Sequence, residues 1–393
     1  MKKRSNFLTR LPLRLYALLF AFLAFAFFSN DFGLVDIQKT AIILAAGVDK
    51  EEEGLRLTAQ IAVPQGSGSS FQSGSVNLDG TGATVSECLS DLYAQTGWVP
   101  KFIFCDLVLF GEELARENVF SALDFFLRNE YVPDSCNLAV CQGTAKDLLT
   151  QKSAIDDTSS FALSKLFSDA AQKAGKVVTT TLKEFSIGYY GVSHSGYMPM
   201  IQTLPSDNDV SAQASSQEGA NSKEKKQNVV YVADQTALFA DGALVSVLSP
   251  EQTFAYNLLR GKVFAGTFPV RLDGVTYSLS VLKNDGESSL VLKDEATALL
   301  RAQVSVRLYS KNTPSSSLDV ASGTVDERVV KEAESTLAAS LVSLWENSTQ
   351  KGCDLFFLLR QLYRSSLQKY EEEKEGFLSS VRPQIQVTVK TFE

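Results

Sequence analysis

One feature limits this chain before any fold is considered. Five basic residues (Lys2, Lys3, Arg4, Arg10 and Arg14) precede an uncharged run from Leu15 to Asn30, and Asp31 ends it. The run is 16 residues long, against the roughly 20 that usually span a bilayer. Adding Leu11 to Leu13 lengthens it if Arg14 reaches back to the headgroups. Phe, Leu and Ala occupy every face, so a helix buried in a soluble core is a poor explanation. The reading is an export segment retained as an anchor. Ala24-Phe25-Ala26 offers a signal-peptidase site as the alternative. In either case the basic flank stays cytoplasmic and the remaining chain lies across the membrane.

That remainder, about 360 residues, has no second uncharged stretch long enough to span. It is long enough for at least two domains. The net charge of −8 argues against a nucleic-acid partner, which needs a basic surface to neutralise phosphates. Five cysteines are too few for a disulfide-built scaffold. Cys136 and Cys141 could close a small loop, but their spacing matches no redox or zinc pattern. The other cysteines read as buried apolar residues.

Hydrophobic periodicity supplies the coarse architecture. Residues 35–65 read as two strands joined by a turn, with Leu55, Leu57, Ala59, Ile61 and Val63 alternating onto one face. Gly66 to Gly82 is rich in Gly and Ser and reads as an exposed loop. A strand is expected over Phe102–Phe110, then a helix through GEELARENVFSALDFFLRN with Ala115, Val119, Leu123 and Phe126 on one stripe. A strand at Asn137–Cys141 and a helix entered through GTAKDLL follow. A further helix is expected between Ser160 and Lys183.

Ser206 to Asn228 has almost no apolar residues and cannot sustain a packed structure by its own burial. It is the best internal boundary, and gives a division into an N-terminal signal or anchor at 1–30, an α+β region at 31–205, a polar linker at 206–228 and an α+β domain at 229–393. Beyond it, Asp241-Gly242 marks a hairpin turn. Strands at Tyr277–Leu282 and Ser289–Leu292 are expected to flank a turn at Asn284-Asp285-Gly286. Ala302, Val304, Val306 and Leu308 alternate as a strand. Val330, Ala333, Leu337, Leu341 and Leu344 follow helical spacing within 325–345, a helix covers roughly Asp354–Tyr370, and Ile385, Val387 and Val389 form a last strand. Each half is a sheet with helices packed on it, an α+β arrangement of mixed sheets.

Chemistry is sparse. His194 is the only histidine, so a multi-histidine zinc site cannot be built, and a nucleophile–histidine pair would have to use it. No G-x-S-x-G elbow, Walker sequence or G-x-G-x-x-G is present. Glu51-Glu52-Glu53 and Glu371-Glu372-Glu373 read as solvated faces, and Glu112 and Glu113 as favourable charges at a helix start. Phe125, Phe126, Trp345, Phe356, Phe357 and Tyr363 read as core aromatics, with a protein-contact surface as the alternative. No catalytic residue, metal ligand or cofactor is assigned.

Several longer stretches carry more than generic patterning. AIILAAGVDKEEEGLRLTAQIAVPQ, LVLFGEELARENVFSALDFFLRN and AVCQGTAKDLL, then ALFADGALVSVLSPEQTFAYNLLRG, and finally KGCDLFFLLRQLYR and RPQIQVTVK occur in that order. Together they resemble the C subunits of nutrient germinant receptors in spore-forming bacteria, the GerAC-like spore germination proteins. The resemblance implies three mixed α+β domains and no catalysis. It also implies a place on the outer face of the inner spore membrane and work with A-like and B-like membrane subunits. The matched motif residues Gly111, Glu112, Ala115, Leu123, Phe239, Leu244, Arg260 and Gly261 are then structural or partner-contact positions. One departure stands out: such proteins usually carry a lipid-accepting cysteine just before the first strand, and here the first cysteine is Cys88. The opening helix then substitutes for the lipid anchor. An exported binding module for a peptide, sugar or envelope component is the competing reading. An envelope hydrolase is a third.

Overall fold

The computed structural model describes residues 15–25, 40–63, 74–156, 158–206, 228–292, 295–312 and 325–391. Two units emerge, residues 1–40 and 41–393. Of the first, α1 (residues 15–25) is described, a helix whose Leu and Phe side chains are exposed. At about 1.5 Å per residue its 11 residues fall short of the ~30 Å hydrocarbon layer. Among the described residues no helix is long and apolar enough to cross a membrane; the remainder of the expected anchor lies outside them.

The second unit contains two sheets. The larger has nine strands in the order β3-β2-β1-β5-β6-β7-β8-β9, with β4 also paired to β1. Its strands are β1 (Thr40–Glu51), β2 (Gly54–Val63), β3 (Gly74–Gly82), β4 (Val99–Lys101), β5 (Leu107–Gly111), β6 (Asn137–Cys141), β7 (Ser195–Pro205), β8 (Val229–Ala240) and β9 (Ala243–Leu248). The centre, β1-β5-β6-β7, is parallel, and both flanks are antiparallel. Helices cover both faces of the centre, which is why LVLF reads as an unbroken apolar run. Val108 and Phe110 enter one core, and Leu107 and Leu109 the other.

The helices of this half are α2 (Val85–Thr96), α3 (Glu112–Glu117), α4 (Phe120–Arg128), α5 (Ala145–Thr150), α6 (Ser159–Leu166), α7 (Asp169–Lys173) and α8 (Leu182–Tyr189). Four expectations are corrected here. Residues 74–82 of the expected Gly-Ser loop form edge strand β3, paired along β2 from Leu55 to Val63. Of the expected strand 102–110 only the part from Leu107 is strand (β5); residues 102–106 make a turn between β4 and β5. The helix expected through 111–129 breaks at Asn118, whose Oδ1 accepts the Phe120 N–H at 2.7 Å and so competes with the helical ladder. Its stripe Ala115, Val119, Leu123 and Phe126 is nevertheless fully buried. Between Ser160 and Lys183 the β-branched run Val177 to Thr181 resists helix; it runs beside β6, with Leu138 N–H donating to Thr180 C=O at 2.9 Å.

The smaller sheet has the order β10 (Thr267–Leu272), β11 (Val275–Leu292), β12 (Ala296–Asn312) and β13 (Arg382–Thr391). β12 and β13 are parallel, and the other pairs are antiparallel. Its helices are α9 (Pro250–Leu259), α10 (Glu327–Gln350), α11 (Leu358–Ser365), α12 (Leu367–Glu373) and α13 (Phe377–Ser380). Ala302, Val304 and Val306 point into the core, as their alternation requires. On α10 the innermost first-turn residue is Val329, with Val330 only partly buried. The helix expected over 354–370 starts only after Phe357, which has a positive φ of 53°, and breaks again at Ser366.

Asn284-Asp285-Gly286 is not a turn. It lies inside β11, which pairs continuously with β12 apart from two bulges. Asn284 is turned inward, donating from Nδ2 to Leu258 C=O at 3.0 Å and accepting from Val263 N–H at 3.3 Å. Side-chain partners on the end of α9 therefore override the local turn preference.

The polar segment read as a linker joins β7 to β8, which pair with each other from Ser195–Ala240 to Pro205–Val229. Residues 207–227 lie outside the described residues. All five cysteines are unpaired and buried. Cys136 neighbours Cys105 rather than Cys141, and that thiol contact together with burial pushes the Cys136 thiol up.

Candidate functional site: the seam between the sheets

The predicted motif residues fall into two groups. Ala115, Leu123, Phe239 and Leu244 belong to one hydrophobic core, where α3 and α4 meet the β8–β9 hairpin. The Val119 N–H donates to Gly242 C=O at 2.9 Å across this contact. Gly111 closes β5 against the buried carboxylate of Asp49; a Cβ there would lie 2.2 Å from Asp49 Oδ1. Glu112 pairs with Arg116 on the next turn at 2.6 Å. Arg260 and Gly261 lie apart from these, at the end of α9.

Asp49 was not picked out by sequence. It is 4 % exposed and accepts the Ala145 N–H at 2.7 Å and the Lys146 N–H at 2.9 Å, tying the start of α5 to β1. Burial pushes its carboxyl above the usual range despite these two bonds. A carboxyl that binds its proton more firmly when folded stabilises most in acid, and that contribution falls as pH rises through its folded-state pKa. Relative to wild type, the Asp49→Asn variant is therefore expected to be most destabilised near pH 4 and less so at pH 7. Urea unfolding at both values measures it; a deficit that grows with pH would contradict this.

Arg260 belongs to a polar seam where the C-terminal half meets β7, whereas Gly261 faces β11 at Gly286. Asp354, 1 % exposed, accepts from Ser193 Oγ–H at 2.6 Å, from the Leu358 N–H at 2.7 Å and from the Leu359 N–H at 2.9 Å. Its own N–H donates to Ser195 Oγ at 2.9 Å. The carboxylate satisfies the open first turn of α11 and holds it to the loop entering β7. Burial raises its pKa and the three hydrogen bonds oppose that shift.

Beside this clasp, the Arg260 guanidinium lies 5.2 Å from the Tyr197 ring centroid and 5.6 Å from that of Tyr256. The two rings meet edge to face at 5.3 Å. This is a partly buried cation held by aromatic faces. Asn257 extends the seam, donating to Gly175 C=O at 2.8 Å and to Val177 C=O at 3.1 Å. A cavity of about 180 Å³ opens at the same place, lined among others by Thr180, Glu184, Tyr197, Phe357 and Arg360.

The seam's polar groups hydrogen-bond across the two halves of the chain, Asp354 to Ser193 and Asn257 to Gly175 and Val177. Asp354 has its oxygens committed to three donors, and His194, on an exposed turn, meets the Tyr189 carbonyl through Nδ1 at 3.0 Å and the Tyr189 ring edge to face. Among the described residues no three His, Cys, Asp or Glu side chains are grouped to hold a metal ion. The sequence did carry a signal for Asp354: a lone carboxylate in the apolar run CDLFFLL needs a buried partner. It did not carry the partner's identity.

Comparisons with known proteins bear on these elements in order. Residues 34–203 match the spore germination protein N-terminal domain. Residues 234–391 match the C-terminal domain described as spore germination B3/GerAC like. No curated protein matches the chain. Among solved structures it is similar to the crystal structure of the GerBC protein, at 15 % identity and a TM-score of 0.49, over 88 % of this chain and 97 % of that one. The two domain matches run in sequence order through both sheets and meet at the seam, and the chain belongs to the GerAC-like spore germination proteins, the family of germinant receptor C subunits.

Proposed function

We propose that the protein is a non-enzymatic subunit of a nutrient germinant receptor. It is held at the inner spore membrane by its N-terminal segment, with the bulk of the chain on the outer face, and supports A-like and B-like membrane subunits in germination signalling. The observation that carries the reading is the pair of domain matches at 34–203 and 234–391. The committed hydrogen bonds of the seam fit a scaffold better than a turnover site. Deleting the gene in the source organism is expected to abolish the response to at least one nutrient, with recovery when the full chain is restored. Unchanged germination with every nutrient tested would contradict it.

A second reading, a module that binds a small ligand by itself, is favoured by the seam cavity, where the polar groups of Thr180, Glu184 and Arg360 meet an apolar wall. Saturable calorimetric binding of a small solute to the isolated chain, lost in Arg360→Ala, would support it.

A further inference from the structure

Residues 102–105 form a tight turn, closed by the Cys105 N–H donating to Phe102 C=O at 2.8 Å. Its two central residues are Ile103 and Phe104, 56 % and 60 % exposed. Such positions normally carry Gly, Asn, Asp, Pro or Ser, which suit the backbone and keep apolar surface out of water. The turn is firmly mounted. Phe102 is 2 % exposed and packs edge to face on Phe125 and Phe126 with centroids at 5.9 and 5.8 Å. On the approach to the turn, Trp98 and Val99 are also exposed, and the Lys101 ammonium lies 4.3 Å from the ring centroid of exposed Tyr131. Two apolar side chains thus project from a braced tip, with a Trp, a Tyr and a Lys behind them.

The place of this tip in the chain indicates what covers it. β4, the strand leading into the turn, pairs with β1. β5 occupies Ala45–Val48 on one edge of β1, and β2 occupies the span from Ile43 to Glu51 on the other. What remains for β4 is the beginning of β1, and the Asp106 N–H donates to Leu44 C=O at 3.2 Å beside it. β1 begins at Thr40, and in sequence the apolar segment that holds α1 precedes it. The tip therefore flanks the start of β1, the strand through which the N-terminal segment is covalently joined to the fold. Trp and Tyr settle at the headgroup level and a neighbouring Lys reaches the phosphates, while Ile and Phe go deeper. Weak individual membrane contacts hold stably when two act together.

We propose that the Trp98–Phe104 end of the fold is a second membrane contact, with Ile103 and Phe104 inserted below the headgroups of a lipid bilayer. It rests on the reading that the N-terminal segment holds the chain at the membrane.

The chain has two tryptophans. Trp345 is 5 % exposed and stacked on Phe356, so Trp98 is the natural reporter. The full chain is reconstituted in phosphatidylcholine–phosphatidylglycerol vesicles with and without brominated acyl chains. The Trp345→Phe variant is expected to lose emission in brominated lipid, and the Trp98→Phe variant is not. Adding I103S and F104S to Trp345→Phe is expected to remove that quenching while circular dichroism and melting temperature stay unchanged. Vesicle-bound protein with unquenched Trp98 would overturn the proposal and leave the tip to water or a protein partner. Quenching that survives I103S/F104S would overturn it as well. A chain that fails to associate with vesicles at all would instead overturn the membrane-held reading, and this proposal with it.

Discussion

Replacing Asp354 with alanine is expected to cost about 3 kcal/mol of folding stability. The variant removes an acceptor that serves three donors at 2.6–2.9 Å, in a site that is 1 % exposed. Ser193 Oγ–H and the Leu358 and Leu359 N–H groups are left without a partner where water cannot readily replace it. Each hydrogen bond to a charged group is worth about 1.5–3 kcal/mol. The expected total is well below their sum because the buried carboxylate is itself costly, as its raised pKa records. Asp354→Asn keeps an acceptor and is expected to cost about half as much. Trp345 stacks on Phe356, two residues from the clasp, with centroids at 5.5 Å, so urea unfolding can be followed by its emission. A loss below about 0.5 kcal/mol, the level of an ordinary surface substitution, would show that the clasp does not hold the C-terminal helices to β7.

The second large effect is expected at Gly286. A Cβ there would lie 2.2 Å from Leu258 C=O and 2.4 Å from Leu259 C=O. Both are backbone atoms at the end of α9, so neither can swing aside as a side chain would. Gly286→Ala must push β11 away from α9 and disturb the Asn284 bonds to Leu258 and Val263. Overpacking of this kind costs typically 1–3 kcal/mol and occasionally more; the upper end, about 3 kcal/mol, is expected because two carbonyls block the same position. The control is Gly274→Ala, in the β10–β11 turn. A Cβ there meets nothing within 4 Å, so only the cost of its positive φ of 76° remains. Chemical denaturation of both variants decides the comparison. If Gly286→Ala is no worse than Gly274→Ala, the close approach of β11 to α9 is wrong.

These two positions also show what can and cannot be read from the residues. Where burial alone sets the pattern, the sequence is transparent. Asn137–Cys141 is a strand because its centre is covered on both faces, and Ala302, Val304 and Val306 alternate because one face of β12 is. The stripe Ala115, Val119, Leu123 and Phe126 was legible even though the helix carrying it breaks at Asn118. The failures have local and distant causes. Helix α2 was missed because its buried residues, Val85, Cys88 and Leu92, make a thin stripe just after a Gly-Ser segment. Thr84 and Glu87 did mark its start: Thr84 Oγ1 accepts the Glu87 N–H, and Glu87 Oε2 accepts the Ala83 N–H. Asn284-Asp285-Gly286 is a sound turn signal by local preference, overridden by contacts with α9. Ser193 and Asp354 are 161 positions apart, and no periodicity connects them.

The motif residues show the same division. Ala115, Leu123, Phe239 and Leu244 were identifiable as a group, and the fold puts them in one core. Arg260 was identifiable as a position, but its role depends on Tyr197 and Tyr256, which only the packing of α9 on β7 brings together. The exposed Ile103-Phe104 tip was hidden for another reason: KFIFCDLVLF reads as one apolar strand until the turn at 102–105 separates its outward residues from its inward ones.

The most direct test of the receptor assignment is affinity capture of the full-length chain from detergent-solubilised membranes of sporulating cells, with co-purifying proteins and the chain's own N-terminal peptide identified by mass spectrometry. A-like and B-like membrane subunits are expected to be recovered together with the chain, with the apolar segment before Ala26 still attached. Reproducible recovery of the chain without either subunit, with its N-terminus beginning near Phe27, would contradict it.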